Sequence, residues 1–165
     1  MIKELVIGID FDNTIVCYDE IFHKVAFERG LIQSELPKTK EDVRDYLRKC
    51  DKEDEWTKLQ GYVYGMRMQE VKPFQGVIDF FKIASKHNIE IFIISHKTRT
   101  PYLGPKYDLH LSARNWLIKN NFFDRDSNGL EEDQVFFELT KEDKLNRISS
   151  LNCSHFFFNS INCNN

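Results

Sequence analysis

The sequence predicts an α/β fold built on a mainly parallel sheet. Three observations carry this expectation. Four short runs of continuous apolar character recur at residues 5–9, 89–94, 135–137 and 155–158; helical periodicity fills the gaps between the later ones; and two acids, Asp10 and Asp12, stand where the first run gives way to Asn13 and Thr14. Strands buried on both faces read as unbroken apolar runs, and strands that alternate with helices imply a parallel sheet covered by those helices. A pair of carboxylates at the carboxyl end of such a strand lies where open α/β sheets bind their ligands.

Taken in order, the first run is Leu5-Val6-Ile7-Gly8-Ile9 and it leads straight into the acidic turn. The stretch 18–71 has no strand pattern. Ile21, Phe22, Val25 and Ala26 predict one amphipathic helix stopped by Gly30, Val43, Tyr46, Leu47 and Cys50 a second behind Thr39, and Trp56, Leu59 and Val63 a third. Pro73-Phe74-Gln75-Gly76 marks the return to the α/β layer. Further helices are expected around Val77, Phe80, Phe81 and Ala84, and around Leu109, Ala113, Trp116 and Leu117. A last one, around Leu145 and Ile148, follows the capping signal Thr140-Lys141-Glu142-Asp143. The expected division is therefore an α/β core of residues 1–17 and 72–165, with a helical insertion at 18–71.

Composition narrows the partners. The chain has 165 residues, enough for one domain with an insertion. Its 23 basic and 26 acidic side chains give a net charge of -3, and without a Lys/Arg block a nucleic acid polymer is not the expected partner. The amino terminus passes directly into the first strand and no run is long enough to span a bilayer, so the expectation is a cytoplasmic protein that does not engage membranes. Cys17, Cys50, Cys153 and Cys163 are too scattered for a zinc site or a disulfide scaffold and read as reduced thiols. Oligomeric state is open: the 14 Phe fit an apolar interface or a Phe-rich core.

Alternation along an extended segment turns Asp10 and Asp12 to one side and Phe11 to the other. One carboxylate there could attack phosphorus while the second protonates a leaving oxygen and later deprotonates water, with a divalent cation suppressing repulsion from the phosphate. The competing reading is a solvated acidic turn. The segment 7–16, Ile-Gly-Ile-Asp-Phe-Asp-Asn-Thr-Ile-Val, resembles the first motif of the haloacid dehalogenase (HAD) superfamily, most of whose members are magnesium-dependent phosphatases. Ile91-Phe92-Ile93-Ile94-Ser95 resembles its second motif, and Thr140-Lys141-Glu142-Asp143-Lys144-Leu145 its third.

The resemblance implies a Rossmann-like three-layer core with a small helical cap inserted after the first strand. It also implies hydrolysis of a small phosphorylated metabolite through an aspartyl phosphate, with Mg2+ as cofactor. Asp10 would be the nucleophile and a magnesium ligand, and Asp12 the general acid and base, its backbone carbonyl a second ligand. Ser95 would bind a phosphoryl oxygen and Lys144 would neutralise charge, with Thr14 and His96 beside the phosphate. Lys141 competes with Lys144 for its role. Set against these roles, Ser95 also fits a helix N-cap, Lys144 an exposed lysine paired with Glu142 or Asp143, and His96, Lys97 and Arg99 either a cationic rim or ordinary solvated loop residues. His23, His87 and His110 share no metal-site spacing, Cys153 and His155 read as strand packing, and Tyr62, Tyr64, Met66 and Met68 fit either the lining of a substrate pocket or, as the expected reading, core or cap packing.

One departure limits the resemblance. The family ends its fourth strand in one or two acids that complete the magnesium site, whereas the run 154–158 here is followed by Asn159 and an Asn-rich tail, and the last acid of the chain is Asp143. An altered or truncated reading frame, a weakly active member, and a protein that binds a phosphorylated ligand without turnover each account for this. A receiver-like signalling module is a weaker alternative, because it has no use for the insertion.

Overall fold

The computed structural model describes residues 5–124 and 129–159. Four strands, β1 (Val6–Ile9), β4 (Glu90–His96), β5 (Val135–Glu138) and β6 (His155–Phe157), form one sheet in the order β5-β4-β1-β6. All its pairings are parallel. Two-residue strands β2 (Val16–Cys17) and β3 (Lys72–Pro73) pair separately. Among the described residues there are six α-helices: α1 (Asp19–Glu28), α2 (Lys40–Lys49), α3 (Glu53–Gly65), α4 (Val77–Lys86), α5 (Leu109–Lys119) and α6 (Lys141–Ser150). The fold is thus α/β with a four-stranded parallel sheet, as the apolar runs imply. None of these helices is long and apolar enough to cross a membrane.

The chain divides into two compact units. The first holds the sheet, in residues 1–16, 73–98 and 117–165. Alternation along β6 shows how its helices lie: Phe157 packs edge-on against Phe80 of α4, whereas Phe156 lies under the Lys144 ammonium of α6. Successive strand residues face opposite ways, so α4 and α6 cover opposite faces of the sheet. The α4 side carries an apolar core. Ile7, Ile9, Ile91, Ile93 and Val135 bury themselves there with Phe81 and Phe122, whose rings meet edge-on at 5.0 Å.

The α6 side is held differently. Although Leu145 and Ile148 have helical spacing, no residue of α6 is buried and Leu145 is 65% exposed. Its attachment is polar: Lys144 to Asp10, and Arg147 to Glu138 at 2.8 Å. The capping signal does form, Thr140 Oγ1 accepting the Asp143 amide at 3.0 Å.

The second unit comprises Cys17–Lys72 together with Arg99–Trp116. Helices α1, α2 and α3 bury Phe22, Val25, Ala26, Val43, Leu47, Trp56, Leu59 and Val63 against one another, with Phe22 and Trp56 rings 5.0 Å apart. Residues 99–116 join this unit rather than staying with the sheet, a placement that helical periodicity in 18–71 has no means to signal. Two glycines on α3 seat the added segment. A Cβ at Gly61 would stand 2.6 Å from Pro101 Cβ, and one at Gly65 2.4 Å from the Tyr107 ring. Trp116 ties the segment down again, its indole N–H donating to the Val71 carbonyl at 2.8 Å. Of the tyrosines and methionines near the end of the insertion, Tyr64 packs edge-on against Tyr18 and Met68 is buried, while Tyr62 lies under the Arg29 guanidinium and Met66 is exposed.

Two predictions follow from the second unit. Gly61→Ala gains about 1 kcal/mol of helix propensity but forces a methyl into Pro101, an overpacking cost of about 1–3 kcal/mol, so the net effect is destabilisation and a lower urea midpoint. The Arg67 and Lys24 cations hold the Glu70 carboxyl down to about 2, well below its ordinary 4.5. A depressed acid contributes stability above its unfolded pKa and loses it as pH falls towards the folded value. Because these side chains are partly exposed, the loss between pH 4.5 and 2 is expected to stay under about 1 kcal/mol. Arg67→Met should flatten that part of the acid-stability profile.

Candidate active site

The segment after β1 is fixed by one carbonyl. Phe11 C=O accepts from the amides of Ile15 at 3.0 Å and Val16 at 3.2 Å, closing a tight turn in which Asn13 adopts φ +55°. Asparagine tolerates this left-handed conformation better than most residues. Phe11 itself is fully buried, its ring edge-on to Phe137 at 5.4 Å. With Phe11 turned inward, Asp10 and Asp12 remain partly open, their side chains 20% and 25% exposed.

Each acid has its own lysine. Asp10 Oδ2 meets Lys144 Nζ at 2.8 Å, while its Oδ1 accepts the Phe11 amide at 2.8 Å and its backbone N–H donates to the Phe157 carbonyl at 2.9 Å. Lys144 comes from the first turn of α6 and passes over the Phe156 ring, 5.1 Å from its centroid. Gly8 makes that route possible, since a Cβ there would stand 2.6 Å from the Phe156 ring. Lys144 is thus held by Asp10 rather than by Glu142 or Asp143, and of the two candidate lysines it is the one that reaches the acid pair.

Lys97 does the same for Asp12. Its ammonium donates to Oδ1 at 3.0 Å and Oδ2 at 2.8 Å and stands 5.5 Å from the Phe11 ring centroid. The β4–β5 ladder continues one residue beyond the strand to place it, the Lys97 amide donating to Glu138 C=O at 2.8 Å. Only 5% of Lys97 is exposed, so it is no member of a solvated rim. The sequence reading missed this pairing. Alternation does not signal it, since it turns residue 97 with Ser95 to the face that Ile93 shares with Ile9, opposite Gly8 and Asp10.

The remaining predicted residues fall in different places. Ser95 is the penultimate residue of β4 and 1% exposed, which excludes a helix N-cap. His96 Nε2 donates to the Leu139 carbonyl at 3.1 Å. Thr14 Oγ1 accepts the Asn159 amide at 3.0 Å and lines an apolar groove of about 370 Å3 with Ile9, Phe80 and Phe157. That groove lies on the α4 side, whereas Asp10 shares the α6 side with Gly8. Arg99 pairs with Asp108 within the second unit at 2.9 Å. Burial pushes the Cys17 and Cys153 thiols up, away from the reactive thiolate.

Among known proteins, no family model, curated protein or solved structure matches this chain.

Among the described residues no three His, Cys, Asp or Glu side chains come together as a metal site. Beyond β6 the described chain offers only Phe158 and Asn159; the rest of the Asn-rich tail, with Cys163, lies outside the described residues. Mg2+, however, is commonly held by one or two carboxylates plus water and substrate phosphate oxygens. The partly exposed Asp10 carboxylate is a hard-oxygen donor of the kind such a shell uses, although both its oxygens already accept, from Lys144 and from the Phe11 amide.

Gly8→Ala tests how the site is supported. The added methyl must displace the Phe156 ring on which Lys144 lies, and the expected outcome is a loss of about 1–3 kcal/mol with a lowered Tm. A Tm equal to that of the unsubstituted chain would show that Phe156 does not need the space.

Proposed function

We propose that the chain is a HAD-type phosphomonoester hydrolase acting on a small phosphorylated metabolite. The observation that carries this reading is the Asp10–Lys144 pair at the carboxyl end of β1, a carboxylate held by an ammonium where an α/β sheet binds its ligands. An Asp10 oxygen would attack phosphorus, forming an aspartyl phosphate as the ester P–O bond breaks. Asp12, on the same side of the chain, would pass a proton to the leaving oxygen and then take one from the water that hydrolyses the acyl phosphate. Lys144 would stabilise negative charge on the transferring phosphoryl group, and Ser95 would offer a hydroxyl donor. Mg2+, held by Asp10 and the Asp12 carbonyl, would supply further charge compensation for the phosphoryl oxygens. The helices of the second unit supply the segment that this reading treats as a substrate-selecting cap, and a cytoplasmic location belongs to the same proposal.

One observation favours a second reading, a phosphate-ligand-binding or regulatory protein with impaired turnover. Both Asp12 oxygens accept from Lys97, a contact that a leaving oxygen would have to displace before Asp12 could act as the acid. Turnover of p-nitrophenyl phosphate, with and without added Mg2+, separates the two. On the hydrolase reading the full chain hydrolyses it and Asp10→Asn lowers kcat by about a thousandfold or more while circular dichroism is unchanged. Substantial turnover by Asp10→Asn would overturn the nucleophile assignment, and no turnover by the unsubstituted chain would favour the binding reading.

A further inference from the structure

We propose that Lys97 is a positioning residue that builds compensating positive charge into the anion site, so that phosphate binding persists without a divalent cation. This rests on the reading of the Asp10–Lys144 end as a phosphoryl site and goes beyond it, because that reading leaves charge compensation to Lys144 and Mg2+. Lying two residues from Asp10, the Asp12 carboxylate would repel any phosphate brought to Asp10. Lys97 answers that charge through both carboxylate oxygens, at 3.0 and 2.8 Å. Its side chain is only 4% exposed, so solvent and salt screen it little.

The arrangement also has a direction. Asp10, Asp12 and Lys144 are 17–25% exposed, whereas Lys97 is buried behind Asp12 over the Phe11 ring. An arriving anion therefore meets the acids and Lys144, and Lys97 acts on it through Asp12. The two acids and two lysines sum to zero charge, and the neighbouring Glu138–Arg147 pair adds none. Without Lys97 the same cluster would carry one net negative charge. This lysine thus supplies part of the compensation that a phosphate site otherwise draws from a metal ion.

The test is titration of inorganic phosphate into the full chain in EDTA, followed by calorimetry or phosphorus NMR. The variants are Lys97→Met, Asp12→Asn and the double Asp12→Asn/Lys97→Met. The unsubstituted chain should bind phosphate in EDTA, Lys97→Met should bind about tenfold more weakly or worse, and the double variant should return to within about threefold of the original, because removing the acid restores the charge balance. That rescue is a readout which simple loss of packing at Lys97 would not give. Binding unaffected by Lys97→Met, or a double variant as weak as Lys97→Met, would overturn the proposal. Binding only when Mg2+ is present would overturn it while leaving the hydrolase reading intact; no binding under either condition would overturn both. Should Lys97→Met fail to fold by circular dichroism, the double variant must bind about tenfold more weakly than Asp12→Asn, and equal binding by that pair would overturn the proposal.

Discussion

Neutralisation of two carboxylates at the end of one strand is the constraint on which the rest of the sheet unit depends. Asp10 and Asp12 cannot sit at the mouth of an apolar sheet without partners, since an unpaired half-buried charge costs several kcal/mol. Each is met by a lysine that stands on a phenylalanine: Lys144 over Phe156 for Asp10, and Lys97 over Phe11 for Asp12. The surrounding features serve these two arrangements. Gly8 leaves room for Phe156, the extended β4–β5 ladder delivers Lys97, and α6 is held to the sheet by ion pairs without burying an apolar residue.

That polar attachment has an energetic consequence. Replacing one member of a buried ion pair leaves the other uncompensated, with costs of about 3–5 kcal/mol for fully buried pairs and less where, as here, the acids retain some solvent contact. The side chains that stabilise this unit are therefore the same ones that the proposed phosphate site would use. The second unit is stabilised by other means, namely an aromatic and aliphatic three-helix core and close backbone approach at Gly61 and Gly65.

Much of this was legible in the sequence. Unbroken apolar runs gave the four strands, because a sheet covered on both faces demands them, and Thr39, Gly30 and Thr140 marked helix limits through capping and backbone preference. The acid pair was legible because two carboxylates after a buried strand have few inexpensive explanations. Three things were hidden. Strands β2 and β3 are two residues each, too short for any periodicity. The seating of residues 99–116 depends on what glycine lacks, a Cβ, which leaves no positive pattern. Lys97 looked like one more charged loop residue beside His96 and Arg99, and its burial against Asp12 is a tertiary fact. Leu145 shows the converse, an apolar residue at helical spacing that remains exposed.

The account stands or falls on whether both lysine ammonium groups are held by the acids in solution. Proton–nitrogen NMR of the lysine side chains reads this directly, because a buried, hydrogen-bonded ammonium exchanges its protons slowly enough to be seen apart from the solvated lysines. Two such signals are predicted, one lost in Asp12→Asn and assigned to Lys97, the other lost in Asp10→Asn and assigned to Lys144. A Lys97 ammonium that exchanges like the surface lysines in the unsubstituted chain would contradict it.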